Sequence, residues 1–145
     1  MTKSEIVAAQ RDWVKYVIEQ DADQLLELYD FGTPDEPLLF KPTMTDIIRT
    51  NRAGAYSYFV GGDPDYPHDN GFLSRGWAQV NFQSAVGPVL NSGDRVCKDM
   101  GCYEFIDGNG NSTHADYTFI YHKLGGHVLI ALHHSSFTWS PLEPD

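Results

Sequence analysis

The chain has 145 residues, 41% of them hydrophobic, with eight Phe, eight Tyr and three Trp; this fits one globular domain spanning 1–145 with a real core and excludes a disordered chain. Its formal net charge is −10 and no Lys/Arg cluster occurs, so nucleic acid and anionic membrane, which both need concentrated positive charge, are excluded as partners. The opening MTKSEIVAAQRDW is broken by charge and lacks the apolar stretch of a signal peptide or membrane helix, so a cytoplasmic location is expected.

Residues 4–19 carry Ile6, Ala9, Trp13 and Val17 at helical spacing, with Val14 and Ile18 widening the stripe, and Thr2 with Glu5 has the spacing of a capping box. A second, shorter helix is expected over 22–29, opened by Asp21 or Asp23 and burying Leu25, Leu28 and Tyr29. GTPDEP (32–37) ends it, and Leu38-Leu39-Phe40 reads as a brief strand that Pro42 terminates. The stretch 43–50 fits a loop or a helical turn. A third helix is expected over 51–60, capped by Thr50 or Asn51 and stopped by Gly61-Gly62, followed by the long loop GGDPDYPHDNG.

From Trp77 the period changes to two. Strands are expected over 77–90, disturbed near Gly87-Pro88, then over 95–106, 114–123 and 126–138; Asn91-Ser92-Gly93 and Asp107–Asn111 supply turns between them. Helices first and a meander afterwards argue an α+β fold in which three N-terminal helices pack in a curved, mostly antiparallel sheet. Cys97 and Cys102 should point to opposite faces of a strand, and two free thiols agree with a reducing compartment.

The last strand, GHVLIALHHSSFT, organises the search for a site. Simple alternation places Val128, Ile130 and Leu132 in one aliphatic row that continues into His134 and Ser136, an apolar wall ending in an imidazole and a hydroxyl. His134 is then the candidate proton carrier, with a structural histidine as the alternative. Thr43, beside free backbone amides at the end of the short strand, and Tyr58 on the third helix are further hydroxyl candidates. On one straight helix the two would lie ~22 Å apart, so they share a ligand only if 43–49 is non-helical and folds back. A metal site lacks support: His133 and His134 face opposite ways, His114 and His122 are ~26 Å apart along one strand, and no HxH, CxxC or HExxH spacing occurs. A Gly-x-Ser-x-Gly nucleophile elbow is also missing.

The segments LYDFGTPDEPLLFKPT (28–43), AYSYFVGG (55–62), NGFLSRGW (70–77), ADYTFIYHK (115–123) and LHHSS (132–136) together resemble the iota class of carbonic anhydrases, within the nuclear-transport-factor-like superfamily. The resemblance implies a cone-shaped α+β barrel, a homodimer, and reversible hydration of CO2 to bicarbonate. It implies a site at the mouth of an apolar pocket built from Thr43, Tyr58, His134 and Ser136, with Thr43, Tyr58 and Ser136 binding substrate. No cofactor is expected, since relatives of bacterial and cyanobacterial type work without metal; zinc or manganese is the alternative. A non-enzymatic domain that dimerises or binds a small ligand is the other reading.

Overall fold

The computed structural model describes residues 1–91, 93 and 95–141. Helix α1 spans Lys3–Glu19, and its N-terminus carries the expected capping box: Thr2 Oγ1 accepts from the Glu5 amide while the Glu5 carboxylate accepts from the Thr2 amide. Helix α2 is shorter than its pattern suggested, Ala22–Leu26, capped by Asp21. It ends early because the chain turns to the sheet, where Tyr29 forms a parallel bridge with Ile130. Strand β1 is Leu39–Lys41, and helix α3, Arg52–Val60, starts at Asn51 and closes at Gly61. A single 3-10 turn, Phe72–Arg75, leads into the sheet.

The remaining strands are β2 (Trp77–Ser84), β3 (Val89–Leu90), β4 (Val96–Asp107), β5 (Ser112–Leu124) and β6 (His127–Phe137). The expected 77–90 strand is thus two pieces, split where Gly87 adopts a positive φ of 84° and Pro88 has no amide to donate. Of the turn expected at Asn91-Ser92-Gly93, Ser92 lies outside the described residues. The sheet order is β1-β6-β5-β4-β2, with β3 also on β4; β1 runs parallel to β6 and every other pair is antiparallel. The sheet does not close, so "barrel" gives way to an open, cone-like α+β arrangement.

One face of this sheet is covered by the helices. Tyr103 and Phe105 of β4, Tyr117, Phe119 and Tyr121 of β5, and Ile130 of β6 are buried there with Ile6, Trp13 and Val17 of α1. Trp13 is the hub, its ring within 5.7–6.5 Å of Phe82, Tyr103, Phe105, Phe119 and His133. Truncating such a ring costs about 3–5 kcal/mol. Cys97 is buried and Cys102 half-buried, both free.

β6 carries the feature that positions the site. Tyr121 pairs with Ile130 and Ile120 with Leu132, leaving Ala131 as an extra residue opposite no partner. This bulge resets the alternation, because two residues oppose one and every side chain beyond them changes face.

Candidate active site

Inward of the bulge the order is Ile130, His133, Ser135, not Ile130, Leu132, His134. His133 and Ser135 are 3% and 2% exposed, whereas His134 and Ser136 are exposed on the opposite face. The expectation that His134 and Ser136 face the pocket is therefore corrected: each gives its place to the residue before it.

Thr43 follows Pro42 just past β1, and residues 43–48 are turn and bend, not helix. The segment folds back until Arg49 pairs with Phe40, the Phe40 amide donating to Arg49 O at 2.9 Å and the Arg49 amide to Phe40 O at 2.7 Å. The condition for Thr43 and Tyr58 to meet is fulfilled, and both line one cavity. A buried ion pair fastens the fold-back. The Arg49 guanidinium donates two hydrogen bonds of 2.7 Å to the Asp69 carboxylate, one to Gly54 O at 2.8 Å and one to Thr45 Oγ1 at 2.9 Å. It also lies over the Tyr66 ring, while Ser57 donates to Asp69. Burial opposes ionisation of Asp69, but the Arg49 and Ser57 hydrogen bonds outweigh it and hold the carboxyl below its ordinary range.

The cavity, about 10 Å³, has room for a single water. Its walls are Trp13, Phe40, Pro42, Phe59, Phe72 and Phe105; its polar lining is Thr43, Tyr58, Tyr103, His133 and Ser135. All of these polar groups but Tyr58 belong to one continuous chain. Trp13 Nε1–H donates to Tyr29 Oη at 3.0 Å, Tyr29 Oη lies 2.9 Å from His133 Nδ1, and His133 Nε2 lies 3.1 Å from Tyr103 Oη. Tyr103 then donates to Ser135 Oγ at 2.6 Å, which is 2.5 Å from Thr43 Oγ1.

His133 sits between the rings of Phe119 and Phe40, stacked at 4.1 and 4.9 Å between centroids. Burial, with a smaller contribution from His134, lowers its pKa to about 3, so the imidazole is neutral at physiological pH. Burial likewise pushes Tyr29, Tyr58 and Tyr103 well above the ordinary phenol range, and all three stay protonated donors. Among the described residues no three His, Cys, Asp or Glu side chains are grouped to hold a metal ion, and both ring nitrogens of His133 are taken by tyrosines.

Sequence reasoning missed Tyr103, Tyr29 and Trp13 as polar parts of the site: Trp13 and Tyr29 are expected on buried helix faces, and Tyr103 is not singled out. The one available signal was parity: Tyr103 shares its strand face with Phe105.

Helices gathered on one face of an open mixed sheet make the nuclear-transport-factor-like fold. An NTF2-like protein of Shewanella oneidensis MR-1 superposes with a TM-score of 0.70 at 14% identity, over 94% of this chain and 99% of that one. A calcium/calmodulin-dependent protein kinase II association domain of Xanthomonas campestris does so at 0.67 and 26% identity, over 92% and 86%. Within this class, residues 4–137 match the family model of the metal-independent carbonic anhydrases, and the chain belongs to that family. A metal-independent carbonic anhydrase from Nostoc sp. strain PCC 7120 is 32% identical, over 96% of this chain and 75% of its own length. The crystal structure of a cyanobacterial iota-carbonic anhydrase in complex with bicarbonate superposes with a TM-score of 0.87 at 30% identity, over 97% and 94%. The activity is that of a carbonic anhydrase, reversible hydration of CO2 to bicarbonate and a proton.

Proposed function

We propose that this hydration takes place at the mouth of the cavity between α3, β1 and β6, carried by the hydroxyls of Thr43, Tyr58, Tyr103 and Ser135, with His133 positioning them. The observation that carries the reading is the convergence of these four hydroxyls and one neutral imidazole on a one-water space walled by aromatic rings. The cyanobacterial relative is complexed with bicarbonate, the product of the same reaction.

An imidazole held at about 3 is a poor base at neutral pH, and buried phenols are no better. The step that suits these groups creates no buried charge. Water oxygen bonds to the CO2 carbon as one C=O π pair moves onto its oxygen. Thr43 Oγ1 accepts a proton from the water while its own proton passes to that oxygen. The product is carbonic acid, whose carboxylic proton leaves to bulk water and yields bicarbonate. The Tyr58 hydroxyl donates to the second substrate oxygen, and preorganised donors of this kind stabilise the charge that develops there.

Stopped-flow CO2 hydration on chelator-stripped protein, its residual metal counted by mass spectrometry, tests the reading. Undiminished turnover far below one metal per chain is expected; turnover restored only by zinc or manganese would overturn it.

The homodimer is part of the same proposal. The outer sheet face carries Met100, 62% exposed, beside a shallow depression of about 640 Å³ that includes Cys102, Thr118, His134 and Ser136. The homodimer rests on the family resemblance, and this face is the one proposed to meet the second copy. No helix among the described residues is long and apolar enough to cross a membrane, and the free thiols support the cytoplasm as the place of action.

A further inference from the structure

The hydrogen-bond chain behind the cavity has a direction, and the residues at its buried end set it. Trp13 Nε1–H is a donor only, and Tyr29 Oη accepts from it at 3.0 Å. Tyr29 is 3% exposed, and among the described residues its one remaining hydrogen-bond neighbour is His133 Nδ1 at 2.9 Å. If Nδ1 carried a proton, the Tyr29 hydroxyl hydrogen would be buried with no acceptor, at the full desolvation penalty of an unmade hydrogen bond. Tyr29 therefore donates to Nδ1.

The rest follows by counting hydrogens. A neutral imidazole has one N–H, which must be on Nε2 and donate to Tyr103 Oη at 3.1 Å. The Tyr103 hydrogen is then committed to Ser135 Oγ. Ser135 and Thr43 share one hydrogen bond in which either oxygen can donate. Six groups thus bring six hydrogens to five bonds, and the one left over is on the Ser135–Thr43 pair.

We infer that Tyr29, closed off by the donor-only Trp13, is a positioning residue that polarises the chain outward and leaves one hydroxyl hydrogen of the Ser135–Thr43 pair free to donate to a substrate oxygen. This rests on the cavity being the reaction site and adds what a list of hydroxyls lacks: the outermost pair holds one hydrogen more than its own bond uses and offers it to the substrate. The inner end cannot serve as a proton exit, because Trp13 accepts nothing. The proton released on hydration leaves through the mouth instead.

The test reads the tautomer of His133 directly, by two-bond 15N–1H correlation on protein labelled at histidine, with His133 assigned through contacts to the Phe40 and Phe119 rings. Wild-type protein is expected to show a single neutral Nε2–H tautomer at pH 7. In Tyr29→Phe an Nδ1–H population is expected to appear, with kcat/KM for CO2 falling about tenfold, the factor that the loss of one oriented hydrogen bond supplies. An Nδ1–H tautomer in the wild type would overturn the polarity whatever the variant does. Full activity in a folded Tyr29→Phe with a mixed tautomer would overturn its role in the reaction. Full activity in a folded Thr43→Ala, with the Nε2–H tautomer in the wild type, would overturn the assignment of the reaction site and uphold the polarity, so the two failures are distinguishable.

Discussion

His133 is held between two phenyl rings with a tyrosine hydroxyl on each nitrogen, so adding a proton to it breaks a hydrogen bond and buries a charge. Its pKa drops from 6.5 to about 3 on folding, and between those values the unfolded chain binds a proton that the folded one refuses. Stability from this group is therefore complete above 6.5 and falls with decreasing pH, at a slope approaching 1.4 kcal/mol per unit. Denaturant midpoints measured from pH 7 to pH 4 should fall more steeply for the wild type than for His133→Gln; equal slopes would show that the ring is already protonated in the fold. Tyr103 joins His133 to Ser135 through a single oxygen. Tyr103→Phe keeps the ring packing and removes that oxygen, so at least a tenfold loss of CO2 hydration is expected, with a loss of about 1–3 kcal/mol in stability as the buried His133 Nε2–H loses its acceptor, read by stopped flow beside a thermal melt.

The elements that assemble the cavity differ in how openly the sequence declares them. Helix α1 is written in its stripe and capping box, and the strands in their period-two pattern, because those signals are local. The bulge at Ala131 is not, since a bulge is defined by the partner strand: Ile120 and Tyr121 have consecutive partners two residues apart in β6. One extra residue was enough to move the expected site from His133 and Ser135 to His134 and Ser136. Thr43 and Tyr58 fared better, because the structure fulfils a condition that chain geometry had set, that 43–49 fold back. What fastens the fold-back was not legible, since Arg49 and Asp69 are twenty residues apart and ordinary in composition. Their side chains are 1% and 2% exposed. Arg49→Met strands the Asp69 carboxylate, and a loss of about 3–5 kcal/mol is expected by urea denaturation, together with lost activity as Thr43 and Tyr58 part. A change below 1 kcal/mol would mean that the pair does not hold the segment.

At the scale of the whole molecule, the sheet separates two surfaces. Its inner face, under the helices, carries the hydroxyl chain; its outer face, with Met100, His134 and Ser136, is the one we propose a second copy covers. Met100→Glu places charge in the middle of that face, and sedimentation velocity is expected to show a shift from dimer to monomer; an unchanged dimer would move the interface elsewhere. The same division gives the most direct test of the account. CO2 hydration should be measured by stopped flow on Ser135→Ala and Ser136→Ala, both chelator-stripped and both shown to be folded. Ser135→Ala is expected to lose at least tenfold in kcat/KM and Ser136→Ala to stay within twofold of the wild type. Loss in Ser136→Ala with full activity in Ser135→Ala would contradict it, and would put the chemistry on the outer face of the sheet.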